Sequence, residues 1–325
     1  MARQYQIAIL SDVHYACAAE QARGHDYEYR DLTNPLVRFL VEMYRHFIWL
    51  RHPLGQNGRL DEFIQRAGKP DWVIANGDYC CDTGFVGLSD DASLQSAREC
   101  LEKLRGKYAP NFRANFGDHE LGKLSLLGGR GGLRLESWRR GREELGLEPL
   151  WRVELGRNIL LGVTSSLVAL PLFEADMLPE ERAEWHALRE EQMAGIRRVF
   201  TELKPKVRVV LFCHDPSALP FLWRDETVRA NLPRVETTII GHLHSNLVFR
   251  NSRLLSGMPP IGFFGHTVKR LSTALSEGRH WRPFKVRLCP SLAGIELLKD
   301  GGFCTLEVDE DASKPARFQF QRMKR

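Results

Sequence analysis

Gln6-Ile7-Ala8-Ile9-Leu10-Ser11-Asp12-Val13-His14 sets the grammar of the chain. A short apolar run rich in Ile reads as a buried strand, and it ends in a carboxylate and an imidazole two residues apart. The pattern returns downstream: Trp72–Asn76 precedes Gly77-Asp78, Val209–Cys213 precedes His214, and Thr237–Ile240 precedes Gly241-His242-Leu243-His244. A more mixed run, Asn111–Phe116, leads into Gly117-Asp118-His119-Glu120. Strands of one sheet that all end this way deliver Asp and His side chains to one rim, and such a rim suits a metal site.

Asp and His offer carboxylate oxygen and neutral imidazole, a donor set that suits Zn, Mn or Fe better than an all-oxygen calcium cage. Asp12, His14, Asp78, Asp118, His214, His242 and His244 are too many ligands for one tetrahedral ion. They suit two divalent ions sharing a carboxylate, an arrangement that clamps both the attacking and the leaving oxygen of a phosphoryl transfer.

In these residues the chain resembles the calcineurin-like metallophosphoesterase superfamily, whose motifs run D-x-H, G-D, G-N-H-[DE], a lone His and G-H-x-H in that order. The resemblance implies an α/β fold of two mixed sheets in a sandwich flanked by helices. It further implies that Asp12, His14, Asp78 and His244 hold one ion while Asp78, Asp118, His214 and His242 hold the other, with Asp78 bridging. By the same resemblance His119 lies just outside the metals, oriented by a carboxylate, and protonates the leaving oxygen or steadies the transition state. One position departs from the pattern: Asp118 stands where the family has a neutral Asn. A third carboxylate removes one unit of positive charge from the site and weakens its pull on an anionic phosphate.

At 325 residues and 43% hydrophobic content the chain is globular, and it reads as one elaborated domain, 1–325, because the motifs spread from Asp12 to His244. A net charge of +5 is compatible with a phosphate-bearing or membrane-surface partner and does not call for nucleic acid. Seven cysteines without C-x-x-C spacing argue against a disulfide framework or zinc ribbon. Reduced thiols suit a cytoplasmic location, as does a start that runs straight into the first strand with no leader-like segment. The longest apolar stretch, Ile159–Phe173, is too short to span a bilayer.

Two segments stand out as substrate-selecting. The insertion 15–58 follows the first ligands; it carries Arg23 and His25, and Asn34-Pro35 opens a helix expected to reach about Arg51. That helix is apolar over most of its circumference, with Arg38, Glu42 and Arg45 as a narrow polar stripe. It reads as a lid packed on the body, or as a face for an acyl chain or a membrane. The segment 249–285 mixes cations with the apolar turn Gly257–His266, and from Arg250 to Arg287 there are eight Lys or Arg against the single acid Glu277. Between them, Gly122, Gly128, Gly129, Gly131 and Gly132 form a loop that reads equally as a connection or as a wall bringing Lys123 and Arg130 to a phosphate.

The remaining expectations are structural. Helices are expected over 59–67, 93–105, 136–145 and 179–203, and closing strands over Lys285–Pro290, Gly294–Leu298 and Cys304–Val308. Arg317–Arg325 reads as an edge strand or a basic arm.

The functional expectation is a two-metal phosphohydrolase acting on a phosphodiester or pyrophosphate. A lipid-linked substrate is favoured, by similarity in motif order and inserted helices to the UDP-2,3-diacylglucosamine pyrophosphatases. Arg23, His25, Lys123 and Arg130 are the expected substrate contacts, and peripheral membrane contact is compatible with the insertion. The alternatives are a cyclic-nucleotide or nucleic-acid phosphodiesterase, for which no dedicated nucleic-acid module is visible, and a binding scaffold weakened in catalysis by Asp118.

Overall fold

Ile7, Ala8, Ile9 and Leu10 are all buried, because the strand that carries them, β1 (Gln4–Leu10), is covered on both faces. The computed structural model describes residues 3–125, 129–260 and 266–323, the side chains of 266–271 excepted. In the first sheet β1 pairs in parallel with β2 (Trp72–Ala75), and β2 with β3 (Phe112–Ala114). The second sheet begins with β4 (Leu150–Leu155) antiparallel to β5 (Asn158–Val163). It continues in parallel through β6 (Arg208–Cys213), β7 (Val235–Ile240) and β8 (Val286–Leu288). The chain then returns to the first sheet: β9 (Gly302–Asp309) lies antiparallel to β1, setting Leu306 opposite Ile7, and β10 (Arg317–Arg322) pairs with β9 at the edge.

Alternation along the strands divides the core into layers. Ile7, Ile9 and Ile74 meet Leu160, Val210, Phe212 and Ile239 between the sheets. Ala8, Leu10 and Val73 point the other way, onto Leu60 and Phe63 of helix Gly58–Ala67 and Leu101 and Leu104 of helix Asp91–Tyr108. Ile159, Leu161, Val209 and Leu211 face Ile196 and Phe200 of helix Arg182–Thr201. The architecture is the expected α/β sandwich of two mixed sheets flanked by helices. The helix expected over 136–145 occurs as Leu135–Glu143, and the one over 179–203 starts as a tighter 3₁₀ turn, Pro179–Glu181. All seven cysteines are buried free thiols.

Three expectations change. The inserted helix spans Pro35–Phe47, with the Asn34 side chain accepting from the N–H groups of Leu36 and Val37, and stops short of Arg51. It ends because the following residues serve another segment: Glu296 N–H donates to the Trp49 carbonyl at 2.7 Å and Leu297 N–H to the Ile48 carbonyl at 3.2 Å. Those same bonds occupy Gly294–Leu298, which forms a turn in place of a closing strand. Third, the polar stripe does not stay together at the surface: Arg38 and Glu42 are exposed, while Arg45 is buried and pairs with Glu28 at 3.0 Å, so the helix turns a broad apolar face outward. Residues 261–265 of the apolar turn, Gly128 of the glycine-rich loop, and Lys324 and Arg325 of the tail lie outside the described residues.

Candidate metal centre

Beyond their last paired residues β1 and β2 continue side by side. Asp12 N–H donates to the Gly77 carbonyl, His14 N–H to the Asp78 carbonyl and Tyr15 N–H to the Tyr79 carbonyl, at 3.0, 3.1 and 2.7 Å. The second sheet joins them: Gly241 N–H donates to the His214 carbonyl at 2.9 Å, and His242 N–H reaches the Asp12 carboxylate at 3.1 Å. The ends of β1, β2, β3, β6 and β7 therefore meet at one rim.

Chain geometry at this rim is forced. Asp12, His14, Asp78, His242 and His244 all have positive φ, between 49° and 60°, a left-handed backbone that non-glycine residues adopt only where the surroundings impose it. Close approach explains the glycines of the motifs. A Cβ on Gly117 would overlap the Asp78 carboxylate, and one on Gly241 would overlap Ser11 Oγ.

Two groups of ligand atoms result, each within 4.8 Å: Asp12, His14, Asp78 and His244 in one, and Asp78, Asp118, His214 and His242 in the other. Asp78 belongs to both. In the first, His14 Nε2 and His244 Nε2 lie 3.3 Å apart and His244 Nε2 is 3.3 Å from Asp12 Oδ1. In the second, His214 Nε2 lies 3.2 Å from Asp78 Oδ2 and 3.1 Å from Asp118 Oδ1, with His242 Nδ1 3.0 Å from the same Asp118 oxygen. All seven sequence-predicted ligands are thus brought together.

The donor set fits a pair of divalent cations. His14 Nδ1 lies 3.3 Å from the Cys80 carbonyl and His214 Nδ1 2.6 Å from that of Asn76, so each ring donates there and turns an Nε2 lone pair into the site. Burial pushes His14 down to about 4, against the opposing pull of Asp78, whereas in the second group the neighbouring carboxylates outweigh burial and raise His214 and His242, so a cation binding there displaces protons. Burial likewise raises Asp12 to about 6, partly offset by His214: a cluster of buried carboxylates calls for positive charge.

His119 stands beside the ligands, its ring 4.6 Å from that of His14 and its Nε2 3.8 Å from Asp78 Oδ2. Its Nδ1 is held by the Cys81 carbonyl at 3.1 Å, not by the carboxylate that the resemblance implies. Lys123 Nζ contacts His119 Nε2. Burial, then the Lys123 charge, lowers His119 to about 3.

The other expected substrate contacts lie elsewhere. Arg23 donates to Asp90 and Thr83, both at 2.8 Å; His25 sits edge-on to His52; and Arg130 pairs with Asp31 and lies over the Phe85 ring. Of the four, Lys123 lines the cavity above the metal residues. That cavity, of about 470 Å³, also has Val41, Tyr44, Trp49, Leu133, Phe173 and Leu243 in its walls. In the sequence Trp49 is one apolar residue among many, with nothing to mark it as part of the site, yet its ring packs 4.8 Å from that of His244. Glu120 also gains a role, accepting from the N–H groups of Asp78, Tyr79 and Gly117 at 2.9, 2.7 and 2.8 Å.

A family model described as calcineurin-like phosphoesterase matches residues 5–246. Among solved structures, a dimetal phosphatase from Danio rerio is similar at 13% identity and a TM-score of 0.51, covering 98% of this chain and 96% of that one. A purple acid phosphatase from yellow lupin is similar at 13% identity and a TM-score of 0.37, over 75% of this chain and 38% of that one. A phosphopantetheinyl hydrolase from Mycobacterium tuberculosis is similar at 15% identity and a TM-score of 0.35, over 75% and 84%. None of the curated proteins compared matches the chain. The family uses a dinuclear divalent metal centre, which the two Asp/His groups are equipped to hold. The chain belongs to the calcineurin-like phosphoesterase family and is a metal-dependent phosphoesterase.

Proposed function

We propose that this phosphoesterase cleaves a phosphodiester or pyrophosphate bond in a lipid-linked substrate of the kind represented by UDP-2,3-diacylglucosamine. The observation that carries the reading is the cavity: its floor is Asp78, Asp118, His119, His242 and His244, while its walls include Val41, Tyr44, Trp49, Leu172, Phe173, Leu275 and Trp281. A charged floor under apolar walls suits a molecule with phosphate at one end and hydrocarbon at the other. The insertion 15–58 supplies Val41, Tyr44 and Trp49, and so acts as the substrate-selecting element.

In this reading Asp12, His14, Asp78 and His244 hold one cation, and Asp78, Asp118, His214 and His242 the second. When bound, the two cations supply Lewis-acid charge and allow water to attack phosphorus near neutral pH. Lys123 offers its ammonium to a phosphate oxygen at the mouth of the floor. His119, fixed by the Cys81 carbonyl, holds the Lys123 ammonium with its Nε2 lone pair, so that Lys123 supplies the proton to the leaving oxygen while His119 positions it and steadies the transition state.

The test is a hydrolysis comparison in added manganese between UDP-2,3-diacylglucosamine, soluble nucleotide diphosphosugars and bis(p-nitrophenyl) phosphate. A preference for the acylated compound is expected. Equal rates with and without acyl chains would overturn the lipid-linked substrate.

A further inference from the structure

The inserted helix Pro35–Phe47 lines the cavity with Val41, Tyr44 and Arg45, and its opposite side faces solvent with hydrocarbon. Leu36, Phe39, Leu40 and Phe47 are 64%, 56%, 58% and 54% exposed. Their spacing of three, four and seven residues makes one continuous stripe. In water such a stripe costs stability, and a globular body normally turns it inward. Here the buried Arg45–Glu28 pair fixes the rotation the other way.

Two other segments add exposed apolar side chains. Leu297 and Leu298 stand beside the C-terminal end of this helix, tied there by the bonds from residues 296 and 297 to the Trp49 and Ile48 carbonyls. Helix Asn246–Leu254, whose Val248 and Ser252 line the same cavity, exposes Leu247 and Leu254, the latter at 83%. Cations accompany them: Arg38, Arg51, Arg250, Arg253 and Lys299 are exposed, with Glu42 as the exposed acid on the inserted helix.

We infer that Pro35–Phe47, with Leu297 and Leu298 beside its C-terminal end, is a docking face for an anionic lipid membrane, which the helix enters along its length without crossing. No helix among the described residues is long and apolar enough to span a bilayer, and an amphipathic helix of 13 residues suits the interfacial position. Charge selects this occupant over a second copy of the chain. Two copies meeting through a surface whose exposed cations outnumber its acids would repel one another, whereas anionic headgroups attract those cations. Since Val41 and Tyr44 share the helix with the exposed stripe, docking opens the cavity toward the acyl layer. That purpose rests on the lipid-linked reading of the cavity; the docking itself rests on the surface.

The test is co-sedimentation of the full chain with vesicles of phosphatidylcholine alone or with added phosphatidylglycerol, across a salt series. Phe39→Asp/Leu40→Asp and the charge reversal Arg38→Glu/Arg253→Glu are run alongside, with light scattering of each protein. The parent protein is expected to bind the anionic vesicles and to release as salt rises. The apolar pair is expected to lose about tenfold or more of that binding, and the charge reversal to lose the anionic preference. Hydrolysis of bis(p-nitrophenyl) phosphate, which reads the metal site alone, is expected to stay unchanged in both. A parent protein that ignores both vesicles, or binds them as well after Phe39→Asp/Leu40→Asp, overturns the proposal. So does a dimer that this variant dissolves, which would make a second copy the occupant. Vesicle binding without any acyl preference in hydrolysis would refute the substrate reading and leave the docking face standing.

Discussion

Asp78 N–H donates to Glu120 Oε2 at 2.9 Å, joining the shared ligand of the two metal groups to a carboxylate that never reaches a metal. Glu120 is fully buried and also accepts from Tyr79 and Gly117, so three backbone donors depend on it. Its burial and the Asp78 charge push its own carboxyl up to about 7. Glu120→Ala orphans these donors at about 1–3 kcal/mol each. It is expected to lower the melting temperature markedly and to reduce metal bound per chain, measured by elemental analysis. A variant with parental metal content would show that the Asp78 loop holds itself.

Asp118 contacts both His214 and His242, at 3.1 and 3.0 Å, in the position where family members carry Asn. Its charge lowers the positive potential that a bound pair of cations offers an anionic phosphate. Asp118→Asn keeps one oxygen acceptor and removes the charge, so turnover of bis(p-nitrophenyl) phosphate at saturating manganese is expected to rise. An unchanged or lower rate, at equal metal content, would contradict this electrostatic account.

The metal residues could be read from the chain because the signal is local: an apolar strand, then a ligand at its end, repeated at β1, β2, β6 and β7. Asp118 follows a strand of three residues, Phe112–Ala114, and was placed by its motif more than by its strand. The substrate contacts could not be read the same way. Arg23 looks like a phosphate binder until its partner Asp90, 67 residues later, is brought alongside. The inserted helix has apolar residues on most sides, so periodicity could not say which face turns inward; Glu28 decides that by burying Arg45. Trp49 escaped for a related reason, since its value lies in meeting His244, which no pattern along the chain encodes.

Asp82 is fully buried; its Oδ1 accepts from Gly87 N–H at 2.8 Å, while Oδ2 has no hydrogen-bond partner among the described residues. Burial drives its carboxyl well above the ordinary 3.8, with Lys123 pulling the other way. With the folded pKa raised, the folded state holds the proton longer. Its contribution to stability is therefore complete below 3.8 and is lost as pH rises through the folded pKa. Asp82→Asn, tolerated at a φ of 49°, removes the charge. The variant is expected to melt higher than the parent near neutral pH, by about 1–3 kcal/mol of stability, and to lose that advantage toward pH 4. Parallel melting curves across this range would show that Asp82 is not a strained charge.

Trp49 joins the insertion to the metal floor, its ring 4.8 Å from His244 and 6.1 Å from Tyr44, with its carbonyl held by Glu296 N–H. An aromatic side chain at this point covers the approach to the phosphate site and offers hydrocarbon to whatever enters along Val41 and Tyr44. On the lipid-linked reading proposed above, removing it forfeits about 1.5–3 kcal/mol of apolar contact with the acyl chain, roughly tenfold or more in kcat/KM. The contact is made equally in ground and transition states, so the loss is expected mainly as a rise in KM. Trp49→Ala is therefore expected to spare bis(p-nitrophenyl) phosphate, which is too small to span the wall, and to penalise UDP-2,3-diacylglucosamine. Equal losses on both would mean that Trp49 serves His244 and its cation, and not the choice of substrate.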